Sequence, residues 1–228
     1  MKKNVLITGA GGNLGTEVVK RFINEGYHVI AMVSPGKSPK EVEHHLDFVE
    51  VDLTQEVEVN KVISDLLGKY SVIDAAVLLV GGFEAGGFDI ADGASIKRMY
   101  ALNFETAYFV ARPILLHMRT QSAGGRIIFV GSRPSLETKA GKNLVSYALS
   151  KSLLFTLSDF INASAVGSNV ASAVVVPATI DTPANRKAMP QADFTTWVTP
   201  DAIAEVILFA SSTSSPLRES VLKVYGRG

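Results

Sequence analysis

Short runs that are apolar nearly throughout recur along this chain: Val5 to Ile7, Val29 to Val33, Phe48 to Val51, Val72 to Val80, Ile127 to Val130, Val170 to Val176 and Val221 to Tyr225. Most are rich in β-branched residues and end at Gly, Pro, Ser or Asp. A strand with one wet face alternates apolar and polar residues. A strand buried on both faces does not, and that is the habit of parallel sheets covered by helices. Between the runs the spacing becomes helical. Leu14, Val18, Phe22 and Ile23 form one stripe, and Val59, Val62, Ile63, Leu66 and Leu67 form another. Further helices are predicted over Ile96 to Met118, Val145 to Ala165 and Pro200 to Ala210. Strand alternating with helix about seven times predicts an α/β fold. It is a single-domain, Rossmann-type, doubly wound parallel sheet with helices on both faces.

Composition fits one domain over residues 1–228. With 47% hydrophobic and 19% charged residues, the chain can bury a large core. Lys plus Arg and Asp plus Glu are both 22, so no basic excess points to nucleic acid. The absence of cysteine excludes disulfides and thiolate metal sites and agrees with a reducing, cytoplasmic location. No run is long enough to span a bilayer, and the apolar stretch after Met1-Lys2-Lys3 is too short for a signal peptide. No metal site is expected. His44-His45 lacks a third ligand at sensible spacing and reads as a solvated helix end, and His28 reads as structural. The sequon Asn162-Ala163-Ser164 falls inside a predicted helix of an unsecreted protein.

The candidate chemistry gathers at one edge of the predicted sheet. Strand one runs into Thr8-Gly9-Ala10-Gly11-Gly12-Asn13-Leu14-Gly15, and a helix follows. Glycine lets backbone approach a ligand, and the helix start offers free N–H groups to a pyrophosphate. Asp52-Leu53-Thr54 follows strand three, Val80-Gly81-Gly82 strand four, Gly131-Ser132 strand five, and Pro177 to Thr182 strand six. Ligands of open α/β sheets bind outside these carboxyl ends. Tyr147 and Lys151 stand at i and i+4, on one face of a helix. A neighbouring ammonium favours the phenolate and lowers a tyrosine's pKa.

In this order the motifs resemble those of the short-chain dehydrogenase/reductase family over essentially the whole chain. Thr8 to Gly15 is similar to its TGxxxGxG, Tyr147 to Lys151 to its YxxSK, and Pro177 to Thr182 to its PGxxxT. Asn103 and Ser132 are similar to its helix-four asparagine and its serine after strand five. The resemblance implies an NAD(P)-dependent enzyme that moves a hydride between a nicotinamide and a small carbonyl or alcohol. It assigns proton transfer to Tyr147 and substrate positioning to Ser132. It gives Lys151 the nicotinamide ribose and the lowering of the Tyr147 pKa. Asn103 would fix a helix kink and a water linking Lys151 to solvent, and Ile180 and Thr182 would hold the carboxamide. It also implies a homodimer or homotetramer, with the two long helices available as interface.

The chain departs from the family pattern at several points. Asn13 replaces the middle glycine, so the loop reads Gly9-x-x-Gly12-x-x-Gly15. Leu78-Leu79-Val80-Gly81 stands where many members have NNAG, and Ala178 replaces a glycine. The Ser132 to Tyr147 gap is two residues longer than usual, which leaves Ser135 as an alternative to Ser132. Two segments, 78–87 and 181–197, show a narrower resemblance to the dihydropteridine reductases. That makes a pterin the second substrate class behind an ordinary carbonyl. A non-catalytic NAD(P)-binding sensor is the rival class, but such chains lose the tyrosine or lysine that this one keeps.

A site selecting NAD usually carries an acid about 20 residues beyond the glycine motif. Here that stretch is Val33-Ser34-Pro35-Gly36-Lys37, with no carboxylate before Glu41. NADP is therefore expected ahead of NAD, with Ser34 and Lys37 toward the 2′-phosphate. Pro183 to Trp197 interrupts the strand–helix alternation and is expected to form a substrate-side flap. Phe194 and Trp197 would offer ring faces there, and Asn185, Arg186 and Asp193 polar contacts. Phe83 and Phe88 either line the substrate pocket or cover the core.

Overall fold

The structure, a computed structural model, describes residues 2–38, 44–214 and 221–226. Its strands are β1 (Asn4–Thr8), β2 (His28–Val33), β3 (Leu46–Glu50), β4 (Ala75–Leu78), β5 (Gly125–Val130), β6 (Val170–Pro177) and β7 (Val221–Val224). All pair in parallel, in the order β3-β2-β1-β4-β5-β6-β7. The order reverses between β1 and β4, which opens a crevice at their carboxyl ends.

Helices α1 (Asn13–Asn24) and α9 (Pro200–Ala210) cover one face. Helices α2 (Glu56–Lys69), α4 (Thr106–Met118) and α7 (Val145–Ser164) cover the other. Successive residues of one strand feed opposite cores. Val5 and Ile7 pack with Val18, Phe22 and Ile207, whereas Leu6 packs with Ile63, Ile114 and Leu154. Ala173 and Val175 divide from Val174 and Val176 in the same way. Both faces are dry, so period-two patterning has nothing polar to mark.

The structure alters two of the expected boundaries. The run Val72 to Val80 pairs as a strand only over Ala75–Leu78, because side chains take its ends: the Gln121 amide oxygen accepts from Ile73 N and the Thr8 hydroxyl from Leu79 N. The helix expected over Ile96 to Met118 is α3 (Gly93–Tyr100), a π-helical turn over Ala101–Glu105, and then α4. His44-His45 is exposed, as expected, in a turn leading into β3, and the residues just before it, 39–43, lie outside the described ones. Four shorter helical elements are the rest among the described residues: α5 (Arg133–Leu136), α6 (Thr138–Gly141), α8 (Pro183–Ala188) and a 3-10 turn (Phe194–Thr196). Asn162 of the sequon is engaged within the fold. Its amide donates to Ser172 O at 2.9 Å and accepts from Ser172 N at 2.7 Å. No helix among the described residues is long and apolar enough to cross a membrane.

The glycine loop joins β1 to α1 with little room. Gly9 has φ +66°, a conformation that favours glycine, and a Cβ there would meet Val80 at 3.2 Å. A Cβ on Gly15 would stand 2.8 Å from Ala10 Cα and collide with the Gly9 carbonyl. Backbone cannot give way as a side chain can. Gly15→Ala should therefore destabilise the protein by about 1–3 kcal/mol, read as a lower midpoint in denaturant unfolding. A midpoint unchanged from wild type would show that the loop has slack.

Candidate active site

The carboxyl ends of β1, β4, β5 and β6 bring the sequence-predicted residues to one edge. Asn103 lies in the π-helical turn and is fully buried. Its Oδ1 accepts from Gly82 N at 2.8 Å, and its Nδ2 donates to Ser150 Oγ at 2.9 Å. Ser150 Oγ in turn donates to Tyr147 O at 2.9 Å. One amide thus ties the loop after β4 to the first turns of α7. The helix irregularity implied for Asn103 is this π-helical turn, a local widening that often marks a working site.

Lys151 is also buried, and its ammonium donates to Val130 O at 2.8 Å. Burial draws it down from its ordinary value to about 8. A Cβ on Gly81 would sit 2.5 Å from Asn103 Oδ1 and 2.9 Å from Lys151 Nζ. Gly81 is therefore bare because two polar side chains pass over it, and not because its backbone is unusual.

Tyr147 is half-buried near the start of α7. Burial pushes its phenol up, and a hydrogen bond with Ser132 pulls it down. Of these two influences burial is the larger, and the Lys151 ammonium is engaged by Val130 O. Phe83 packs edge-on against the Tyr147 ring, with centroids 5.1 Å apart. Phe83 itself is 65% exposed, so it forms a wall of the site and not a core element. Phe88, at 89% exposed, does not cover the core either.

Ser132 and Ser135 separate clearly. Ser132 is buried and reaches Tyr147. Ser135 stands behind it: Ser135 Oγ donates to Ser132 O at 2.6 Å and accepts from Ser132 N at 3.2 Å. The two hydroxyl oxygens are 3.1 Å apart. Ser135 thus supports Ser132 across α5. The two extra residues before Tyr147 are taken up in a stretch that forms the short helices α5 and α6.

The remaining predicted residues divide into structural and open positions. The buried Thr8 accepts from Leu79 N at 3.0 Å and locks β1 to the end of β4. Gly12 precedes α1, is exposed, and has no neighbour that would exclude a Cβ outright. With Asn13 exposed and Leu14 half-buried beside it, Gly12 offers bare backbone at a helix start, which suits a phosphate. Asp52 accepts from the Thr54 amide and hydroxyl, which hold its carboxyl below the usual range, and Leu53 is buried. Ser34 and Lys37 are exposed in the loop after β2. Val80 is half-buried, and Pro177 ends β6. Ile180 bridges to Val198, and Thr182 caps α8 by accepting from Asn185 N at 3.2 Å.

The polar groups of 183–197 expected to offer polar contacts also have partners in residues 180–195. Arg186 grips Asp181 at 2.6 Å and lies over the Phe194 ring at 4.8 Å. Asn185 donates to Ile180 O, and Asp193 caps the 3-10 turn by accepting from Thr195. Phe194 packs against the half-buried Trp197 with centroids 4.7 Å apart. Among the described residues no cluster of three potential metal ligands occurs. The Ser150 link escapes sequence reading, and for Phe83 the sequence leaves open the choice between pocket wall and core. The glycines flanking Phe83 marked a loop, but only packing brings that loop onto α7.

A lysine pushed to about 8 is costly to keep charged inside the fold. Its folded pKa lies below the unfolded 10.5, so the unfolded chain binds more protons between those values. Stability contributed through this group is lowest below pH 8 and recovers as pH rises toward 10.5. Lys151→Met should accordingly raise stability at pH 7, by about 3 kcal/mol at most, with the gain shrinking by pH 10. Denaturant titrations at both pH values test this, and a gain of equal size at each would contradict it.

The family model for short chain dehydrogenases matches residues 3–193. Dihydropteridine reductase from Dictyostelium discoideum is 28% identical over 96% of this chain and 91% of its own length. Acetoacetyl-CoA reductase from an Acinetobacter strain is 24% identical over 80% of this chain and 76% of its own. Among solved structures, ElxO with NADP bound has a TM-score of 0.90 at 23% identity, covering 99% of this chain and 98% of that one. Aldohexose dehydrogenase from Thermoplasma acidophilum has a TM-score of 0.84 at 23% identity, covering 99% of this chain and 94% of that one. With these matches and the Ser132, Tyr147 and Lys151 arrangement, the chain belongs to the short-chain dehydrogenase family of NAD(P)-dependent oxidoreductases.

Proposed function

We propose that this protein interconverts a small carbonyl compound and its alcohol with NADP(H), and that Tyr147 is the proton donor and acceptor. The observation carrying this is the Ser132 hydroxyl bonded to the Tyr147 phenol at the carboxyl edge of the sheet, one helical turn from Lys151. When bound, the nicotinamide supplies or takes the hydride. Gly9, Gly12 and Gly15 let the pyrophosphate approach the start of α1, and Gly12 fits because nothing in the protein requires it to be bare. Lys151 holds the nicotinamide ribose, and Ile180 and Thr182 hold the carboxamide. In reduction Ser132 donates a hydrogen bond to the substrate oxygen while Tyr147 transfers its proton to it. A phenol kept protonated by burial is ready for that direction.

Ser34 and Lys37 favour NADP by facing the 2′-phosphate, which agrees with NADP bound to the similar ElxO fold. A pterin is the second substrate reading, favoured by the dihydropteridine reductase match over nearly the whole chain. Residues 183–197 act as a substrate-side flap that presents Trp197. Exposed apolar residues on α3, α4 and α7, including Tyr108, Leu149 and Phe160, support a homodimer or homotetramer.

Tyr147→Phe should fold and bind NADPH as wild type does, while turnover falls at least 100-fold, as loss of a general acid commonly does. Assays with a panel of ketones, aldehydes and quinonoid dihydropterin measure it; wild-type turnover in the variant would remove Tyr147 from the chemistry. Trp197→Ala should raise KM or lower kcat on the substrate so found, with NADPH affinity nearly unchanged. Unchanged kinetics would reduce 183–197 to a surface excursion.

A further inference from the structure

The position where an NAD-selecting acid is sought, just after β2, is empty in the sequence yet filled in the fold. Glu50, the last residue of β3, pairs in register with Val33, the last residue of β2. Its carboxylate accepts from Gly36 N at 2.9 Å and from Ser38 N at 3.3 Å. These are two backbone donors of the very loop that carries Ser34 and Lys37. The loop closes on itself through Lys37 N to Ser34 O at 3.1 Å. It also borders the glycine loop, since Ala10 N donates to Met32 O at 3.3 Å and a Cβ on Gly11 would touch Val33.

We infer that Glu50 is a cofactor-specificity residue: its carboxylate occupies the donors and sets the charge beside the ribose 2′ position, and so restrains binding of a 2′-phosphorylated dinucleotide. This rests on the placement of the adenosine ribose at the Ser34–Ser38 loop given above. Backbone N–H groups of a turn are natural partners for a phosphate oxygen. Here they already serve a carboxylate, which those hydrogen bonds hold below its usual range and therefore ionised at neutral pH. An incoming 2′-phosphate meets Lys37 as an attraction and Glu50 as a repulsion. A 2′-hydroxyl carries no charge and meets neither strongly. Wild type therefore favours NADP(H) by less than Ser34 and Lys37 alone would give.

Glu50 is exposed, so a substitution there leaves the core untouched. Glu50→Gln keeps an acceptor for the loop and removes the charge. Kd values for NADH and NADPH, read by the binding-induced change in cofactor fluorescence, give the selectivity ratio without any substrate. The ratio should move toward NADPH by roughly three- to tenfold at low salt and should move less at 0.5 M salt, where the field is screened. Glu50→Ala also removes the anchor; both affinities should fall, but the ratio should still move toward NADPH. An unchanged ratio in both variants overturns the inference. So does a ratio that moves toward NADH, which would mean that Glu50 shapes the loop to receive the phosphate. If wild type binds neither dinucleotide, the reading of the site itself fails, and that result is distinct from wild type binding both with an unaltered ratio.

Discussion

A single buried amide holds the site together. Asn103 has no solvent to satisfy it, so each of its polar atoms must find a partner inside the protein. It does so across three elements, accepting from the loop after β4 and donating to α7, from within the π-helical turn between α3 and α4. A regular helix through residues 101–105 would place that side chain elsewhere. The loop it grips must come close, which is why Gly81 and Gly82 carry no side chain. At Gly82 a Cβ would meet Leu102 at 2.8 Å. Ser150 then passes the connection to the backbone of Tyr147 itself. The position of the reacting phenol is thus set largely by groups that never touch a substrate.

Burial also sets the protonation states around that phenol, and it acts on the two members of the pair in opposite senses. The charged form is penalised in each case, so Tyr147 is held protonated and Lys151 is drawn toward neutrality. Only Ser132 opposes the shift on the phenol, and Ser132 is itself steadied by Ser135 through bonds to its backbone N–H and carbonyl. Desolvation, more than the ammonium, governs the pair. The glycine loop shows a similar division of labour. Gly9 and Gly15 are bare for the sake of the β1–α1 junction, whereas Gly11 and Gly12 are bare toward the outside.

The layered α/β fold was legible because it depends on local patterning. Doubly buried strands and amphipathic helices leave their periods in the chain. The predicted helices α7 and α9 match the observed Val145–Ser164 and Pro200–Ala210 within one residue. The glycine loop, the Tyr147–Lys151 spacing and Ser132 were likewise legible, being short motifs attached to strand ends. Less could be read where backbone regularity breaks. The π-helical turn keeps the apolar spacing of a helix on either side, so its interruption at Asn103 leaves no mark in the periodicity. The internal partners of Arg186, Asn185 and Asp193 were hidden for a related reason. Polarity in the sequence does not say whether a partner lies in solvent or a few residues away.

What the sequence by itself determined is therefore the architecture and the inventory of reactive groups, since both arise from spacing within a few turns or strands. Only the tertiary structure decided which groups face one another. It set Ser132 against Tyr147 and left Ser135 behind it. It laid Phe83 on the tyrosine ring from a loop more than sixty residues away in the chain. It also brought Glu50 to the end of β2, where the described loop residues 34–38 supply no acid. Such contacts depend on strand register and on helix packing over distant segments, and neither is written in any local window of the chain.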